Sequence, residues 1–346
     1  MRSTIERESK LVPGEGFELS AFGRALPTRT FTSTYHDTED LRLATHGLTL
    51  RHRTEDGAGT WQLKIPHGAA RIELEVPGPP ARPPAALLDL LPAYVRGRTL
   101  VPVARLRTRR ARVRAEGAEI VEDAVAVLDG QRVVRRFREL EVELVDGAAG
   151  ALERAERALL AAGAQPAAFV PKLHRALDLA YPPGRRGGDP PTSWLDALRA
   201  ALGEQYDRLL AHDPGTRLGA DPEDLHQMRV ATRRARAFLR AARPVLDREW
   251  AGGLLSELRW LGSALGPARD LDVLLEHLRA DVAELDDQTV ADSLLAQLER
   301  EGFEARGAVL RVLSDERYLA LLDRVEGVEP QRAPGEHMTL AELWWD

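Results

Sequence analysis

The chain has 346 residues, enough for two domains that each bury a core of their own. With 48 Lys plus Arg against 54 Asp plus Glu, its net charge of −6 argues against a general nucleic-acid binder. There is no cysteine, which excludes disulfides and thiolate metal sites, so a metal would be held by carboxylate or His, and hard cations such as Mg²⁺ or Mn²⁺ suit carboxylates best.

The chain opens with TIERESK, residues 4–10, where Glu6, Glu8 and Lys10 alternate at the period of a strand face. This charged start has no apolar signal region, and no later run approaches the roughly 20 apolar residues that span a bilayer. A cytoplasmic protein without a membrane partner is the expectation. Further short alternating segments follow at 30–36, 48–53, 60–66, 71–76, 101–114, 120–128 and 133–145, separated by turns such as Glu55-Asp56-Gly57 and Asp129-Gly130. Helical patterns fall at 85–94 and 150–163, and the prolines at 79, 80, 83 and 84 mark a loop. Many short strands with few helices predict an antiparallel sheet or barrel over residues 1–181. The Pro/Gly-rich stretch 182–192 reads as a linker. From 193 to 346 helical periodicity takes over, so the expected class is α+β: an N-terminal antiparallel β tunnel with flanking helices, then an all-α bundle.

Charge is sorted along the strands. Glu6/Glu8 and Glu139/Glu141/Glu143 are acidic; Arg51/Arg53, Lys64 and Arg105/Arg107/Arg109 are basic; Arg71 shares a face with Glu73 and Glu75. One wet face of a half-buried sheet accommodates any single one of these strands. A merely solvated face, however, interleaves the signs. If the sheet closes with these faces inward, acids on one wall would bind a divalent cation and bases on the other would cradle phosphate. Residues 1–192 carry about +4 and residues 193–346 about −10, so the first half is the better seat for an anion. Only three of the 48 basic residues are Lys, at 10, 64 and 172, in a chain that otherwise uses Arg.

Residues 1–181 resemble the CYTH domain, the triphosphate tunnel metalloenzyme family. The likeness rests on ExExK (Glu6, Glu8, Lys10), on TYHDTEDLRLATHGLTLRHR ending in Arg51 and Arg53, on WQLK with Lys64, on RIELE, on the Arg107/Arg109 strand, on RELEVEL, and on PKLHRAL, where Pro171 stands in the family's usual Ser position before Lys172. The resemblance implies an eight-stranded tunnel that binds a triphosphate and Mg²⁺ or Mn²⁺. Carried over, Glu6, Glu8, Glu139 and Glu141 would be metal ligands or water-orienting acids. Lys10, Arg51, Arg53, Lys64, Arg107, Arg109 and Lys172 would hold phosphate, with Glu73, Glu75 and Glu143 as supporting acids. Six arginines within residues 105–114 leave the register of that strand open by one or two positions.

In the second half, DPEDLHQMRVATRRARAFLR predicts a helix with Asp221 as N-cap and Pro222 at its first position. His226, Arg229, Arg233, Arg236 and Arg240 form one stripe; Leu225, Met228, Thr232, Ala235, Leu239 and Ala242 form the apolar stripe beside it. An exposed helix in an Arg-rich chain is the plain alternative. This block, with LRWLGSALGPARDLDVLLEHL, resembles the CHAD domain, a helical module that binds inorganic polyphosphate on basic residues. The match is carried by His226, Arg229, Arg233, Arg234, Arg236 and Arg269, with Asp270 and Asp272. No second LHxxR block is present and the chain ends at AELWWD, so only the first half of such a domain is expected, and Trp344 and Trp345 are candidates for self-association.

The leading expectation is a metal-dependent triphosphatase acting on inorganic triphosphate, with a polyphosphate-binding helical module. A non-catalytic polyphosphate-binding or targeting protein is the alternative. ATP cyclisation would need a nucleobase pocket that the sequence does not reveal, and no specific nucleic-acid partner is expected.

Overall fold

The computed structural model describes residues 1–6, 8–68, 70–145, 150–181, 191, 193–282 and 288–331. Nearly all of the expected linker, and the terminus bearing Trp344 and Trp345, lie outside the described residues. The chain forms two units: Met1–Leu88 with Gly97–Arg185, and Asp89–Arg96 with Arg186–Asp346.

The first unit is built on strands β1 (Arg2–Glu6), β2 (Glu8–Val12), β3 (Arg24–Asp37), β4 (Thr49–Glu55), β5 (Ala58–His67), β6 (Ala70–Pro77), β7 (Val101–Ala115), β8 (Ala118–Asp129), β9 (Arg132–Leu144) and the two-residue β10 (Gln165–Pro166). All pair antiparallel, in the order β1-β6-β5-β4-β3-β7-β8-β9-β2-β10. With the two-residue β10 set aside, the two ends of this order are the two halves of the opening segment. β1 pairs with β6, β2 pairs with β9, and a single residue separates β1 from β2. The chain itself therefore joins the sheet's ends, and counting that segment once with β10 set aside gives eight strands. Each segment expected to be a strand is extended, but 4–10, expected as one strand, is divided between β1 and β2. The β4–β5 hairpin turns on Asp56 (φ 49°) and Gly57 (φ 80°), the left-handed pair that a two-residue turn requires.

Short helices complete the unit: α1 (Arg42–Thr45), α2 (Ala85–Leu88), α4 (Ala151–Ala161) and α5 (Lys172–Leu177). The buried Asp37 carboxylate fixes the α1 turn by accepting from the amides of Thr38, Leu43 and Ala44 at 2.7–2.9 Å. α4 packs Ala151, Ala155 and Leu159 on the outer face of the sheet, over Leu11, Val113, Ile120, Leu140 and Val142. α5 sets Leu173 against the inner face, with Tyr35, Leu106, Val125 and Val127. Burying each such side chain contributes about 1.5–3 kcal/mol. One stretch of the interior is thus closed by an apolar plug, and the rest is left to charged side chains.

The helix expected over 85–94 is split. Pro92 starts a separate helix, α3 (Pro92–Val95), whose segment belongs to the second unit. There the Tyr94 hydroxyl donates to the Leu210 carbonyl at 2.5 Å, and Arg96 reaches Asp323 and Glu326 at 2.5 and 2.7 Å. The rest of this unit is α6 (Trp194–Leu218), α7 (Pro222–Ala241), α8 (Arg248–Val282), α9 (Gln288–Leu313) and α10 (Glu316–Glu326). α7 begins as the sequence predicts: Asp221 accepts from the Glu223 amide at 2.8 Å and Pro222 occupies the first turn. Its apolar stripe, Leu225 through Ala242, is buried. No helix among the described residues is long and apolar enough to cross a membrane.

Candidate functional site

Antiparallel pairing aligns the inward side chains in rows across the first unit. Lys10 faces Glu141 and Glu8 faces Glu143; Glu6 faces Arg71; Lys64 lies between Thr49 and Glu73; Arg51 faces Gln62; Arg29 faces Arg110. Side chains alternate across a strand, so one register fixes each row. These rows line a cavity of about 360 Å³, with Phe169, Pro171 and Lys172 contributed by the segment leading into α5.

The carboxylates fall into two trios, each with oxygens within 4.8 Å of one another: Asp123, Glu139 and Glu141, all buried, and Glu6, Glu8 and Glu143, all half-buried. The buried trio is already neutralised. The Lys172 ammonium lies 3.0, 2.5 and 2.8 Å from Asp123, Glu139 and Glu141. Lys10 adds contacts to Glu139 and Glu141, Arg175 to Glu139, and Arg110 to Asp123 and Glu141. Burial alone would raise the Glu141 carboxyl, but Lys10, Lys172 and Arg110 hold it well below the usual range; Asp123 is lowered the same way, and Lys172 is raised well above the ordinary lysine value.

The half-buried trio is electrostatically unfinished. Glu6 is held low because Lys64, at 2.5 Å, outweighs burial. Glu8 is raised by burial and then by Glu141, and among the described residues it makes no salt bridge. Burial, the largest cause, pushes Glu143 up to about 7 against the pull of Arg110 at 3.7 Å, with repulsion from Glu141, Glu6 and Glu8 adding to it. Oxygen-only donors gathered this closely, with two of them resisting ionisation, suit a hard divalent cation.

Cations line the same cavity. Arg51 donates to Gln62 at 2.7 Å and to the Tyr35 hydroxyl at 3.2 Å, and Arg53 is held by Glu55. Lys64 is shared between Glu6 and Glu73, and Glu75 accepts from Gln62. Arg71 is buried, donates to the Gly47 carbonyl at 2.7 Å and lies over the Phe169 ring.

Most of the residues expected from the sequence meet at this cavity, with three revisions. Glu139 and Glu141 belong to the neutralised trio, and Glu143, expected only as a supporting acid, joins Glu6 and Glu8 instead. Arg107 and Arg109 are exposed on the outer face, because Leu106 and Thr108 beside them are the buried positions of β7; Arg110 lines the cavity. Asp123 and Arg71 went unassigned. Each left a signal: Asp123 is an acid in the inward column between Val121 and Val125, and Arg71 faces Glu6 across β1 and β6.

In the second unit the basic stripe lies along α7. Arg229 donates to the Gly266 carbonyl at 3.0 Å and pairs with Asp270 at 2.6 Å, both on α8. Burial, then Arg240 and Arg259, lower the Arg236 guanidinium, so like charges gather there. His226 is half-buried and Arg233 and Arg234 are exposed; the Nε of Arg236 and of Arg269 are buried with no partner among the described residues.

The CYTH domain model matches residues 4–166 and the CHAD domain model residues 200–343. Two uncharacterised proteins of Mycobacterium tuberculosis, MT2285 and Rv2226, are each 33% identical over 345 residues, covering 91% of this chain and 66% of their own length. Among solved structures, PH1819 from Pyrococcus horikoshii is 18% identical, covering 49% of this chain and 98% of its own, with a TM-score of 0.36. PptA from Streptomyces chartreusis is 25% identical, covering 42% and 53%, with a TM-score of 0.36. The ordered charges of the β unit and the basic helix of the α unit are thus those of a chain that carries a CYTH domain followed by a CHAD domain.

Proposed function

We propose that the β unit is a divalent-metal-dependent triphosphatase, with inorganic triphosphate as the best-fitting substrate, and that the helical unit binds polyphosphate through Arg229, Arg233, Arg236 and their neighbours. One observation carries the reading: a single cavity presents a trio of carboxylates together with Arg51, Arg53, Lys64, Arg71 and Arg110.

The donor set fits Mg²⁺ or Mn²⁺. A triphosphate brings only acceptor oxygens, which the cavity's arginines and lysines attract and its three half-buried carboxylates oppose; a bound cation would remove that opposition and tighten the hold. Glu6, Glu8 and Glu143 would hold that ion, which when bound supplies neutralisation of phosphate oxygens. The chain's own cations do the rest. Arg51, fixed by Gln62 and Tyr35, is pre-placed to give two parallel hydrogen bonds to a phosphoryl group. Lys64 and Arg110 add charge where the departing phosphate becomes more negative, and their placement before substrate arrives removes reorganisation from the barrier. The buried trio with Lys10 and Lys172 forms the rigid inner wall that supports this arrangement. The apolar plug of Leu106, Val125, Val127 and Leu173 closes the interior against water.

The second reading, a non-catalytic polyphosphate-binding protein, draws on one feature: Lys10 and Lys172 are tied to internal carboxylates and are not open to an anion. Phosphate release from inorganic triphosphate, thiamine triphosphate and ATP, with and without Mg²⁺ or Mn²⁺, separates the two. Metal-dependent release that Glu6→Ala abolishes is expected; no release from the folded protein would favour the binding reading.

A further inference from the structure

α4 covers the outer face of β7–β9 only where Val113, Ile120, Leu140 and Val142 lie. Further along the same strands the outer face is open. Arg105, Arg107 and Arg109 project from β7 and Arg136 and Arg138 from β9, all exposed, on either side of Ala124 and Ala126 of β8. The register places Arg107, Ala126 and Arg136 in one row and Arg109, Ala124 and Arg138 in the next. Arg138 is bonded to Glu122. Among the described residues Arg105, Arg107, Arg109 and Arg136 have no ion pair or hydrogen bond. Four unpaired guanidinium groups thus wall a shallow trough floored by methyl groups, on a chain whose net charge is −6.

We propose that this trough is a second anion-binding surface, outside the cavity, that takes a linear inorganic phosphate chain. Its dimensions suit such a chain. Side chains two residues apart on a strand repeat every ~6.6–6.8 Å, and walls two strands apart stand roughly 9.5 Å from one another, room for one file of phosphate tetrahedra with arginine forks on both sides. Its chemistry selects against a nucleic-acid strand. The row positions hold Arg, Ala and Thr: no aromatic ring for a base to stack on and no Asn or Gln to read a base edge. Charge density along the polymer is then what the surface recognises, and an inorganic phosphate chain has the highest charge per length without bases that would need a platform. The surface would hold a phosphate polymer beside the β unit independently of the α7 stripe.

The test uses the full chain carrying Arg229→Ala, Arg233→Ala and Arg236→Ala, with inorganic triphosphate present and metal absent to fill the cavity. Long-chain inorganic polyphosphate should still bind. Adding Arg107→Glu, Arg109→Glu and Arg136→Glu should weaken that binding at least tenfold and flatten its salt dependence. The corresponding lysine triple should retain most of it, and the unfolding midpoint of both triples should match the parent, because none of the three arginines has an intramolecular partner among the described residues. The proposal is overturned if the parent variant no longer binds polyphosphate, if the glutamate triple binds as tightly as the parent, or if single-stranded DNA of equal charge binds the parent as tightly and competes for the same arginines. Binding is read without turnover, so failure of the triphosphatase reading would not disturb the result.

Discussion

Glu143→Gln should stabilise the metal-free β unit while removing its metal-dependent chemistry. A carboxyl pushed from 4.5 to about 7 meets roughly 3 kcal/mol of unfavourable surroundings when ionised. With 32% of the side chain still exposed, solvent screening leaves about 2 kcal/mol. The sign follows from linkage: the folded protein binds this proton more tightly than the unfolded chain, so its contribution is fully present below pH 4.5 and is lost as pH rises through about 7. Gln is neutral throughout and keeps the shape. In EDTA, the variant should therefore exceed the wild type by about 2 kcal/mol at pH 8 and match it near pH 4.5. The chain has two units, so the readout should be hydrogen exchange of the β-strand peptides and not one global transition. An equal gain at both pH values, or no gain at pH 8, would refute the view that Glu143 is ionised against burial and the repulsion of its neighbours.

The other expectations address separate parts of the molecule. Lys172→Met leaves Asp123, Glu139 and Glu141 short of a buried cation and should cost about 3–5 kcal/mol at neutral pH, a penalty that shrinks as pH falls and the lowered carboxylates take up protons; urea unfolding of the β unit at two pH values checks it. Arg110→Ala should lower both triphosphate turnover and stability, whereas Arg107→Ala should alter neither, and loss of turnover in the latter would show that the assigned strand parity is wrong. Arg229→Ala with Arg233→Ala should weaken polyphosphate retention, measured by equilibrium binding, and leave triphosphate turnover unchanged.

The fold was legible because alternation is a strong local signal: seven of the eight alternating segments each became one strand, the opening one became two, and the Asp221–Pro222 start of α7 fell where capping chemistry puts it. The split at Pro92 was legible in principle, since a proline favours a first turn, but no local pattern tells which unit a four-residue helix will join. The acids and bases of the site were legible as types. Their partnering was not, because it depends on which strands become neighbours. Glu141 faces Lys10 only through the β2–β9 ladder, and Lys172 reaches the same carboxylates from a helix some 30 residues later. The arginines of β7 show the limit most clearly. They occupy 105, 107 and 109, then 110, 112 and 114, so the basic column changes face between Arg109 and Arg110. Composition gives the strand its charge, and only the buried Leu106 and Thr108 decide which of the two columns turns inward.

Arg71 gives that reasoning its sharpest test. Its side chain lines the cavity, the residue is 7% exposed, and its cross-strand neighbour Glu6 is bound to Lys64 instead. Its contacts are one carbonyl, at Gly47, and the Phe169 ring 5.5 Å away; its Nε has no partner among the described residues. A guanidinium buried without a carboxylate is costly, so its counterpart should arrive with the substrate. Arg71→Met keeps the bulk and removes the charge. The metal-free variant should be as stable as the wild type or slightly more so, the opposite of Arg110→Ala, which breaks pairs already made. A hydrogen bond to a charged group contributes about 1.5–3 kcal/mol, so calorimetric affinity for inorganic triphosphate in EDTA should fall about 10- to 150-fold. Undiminished affinity, or a stability loss as large as that of Arg110→Ala, would show that Arg71 belongs to the scaffold and not to the seat of the anion.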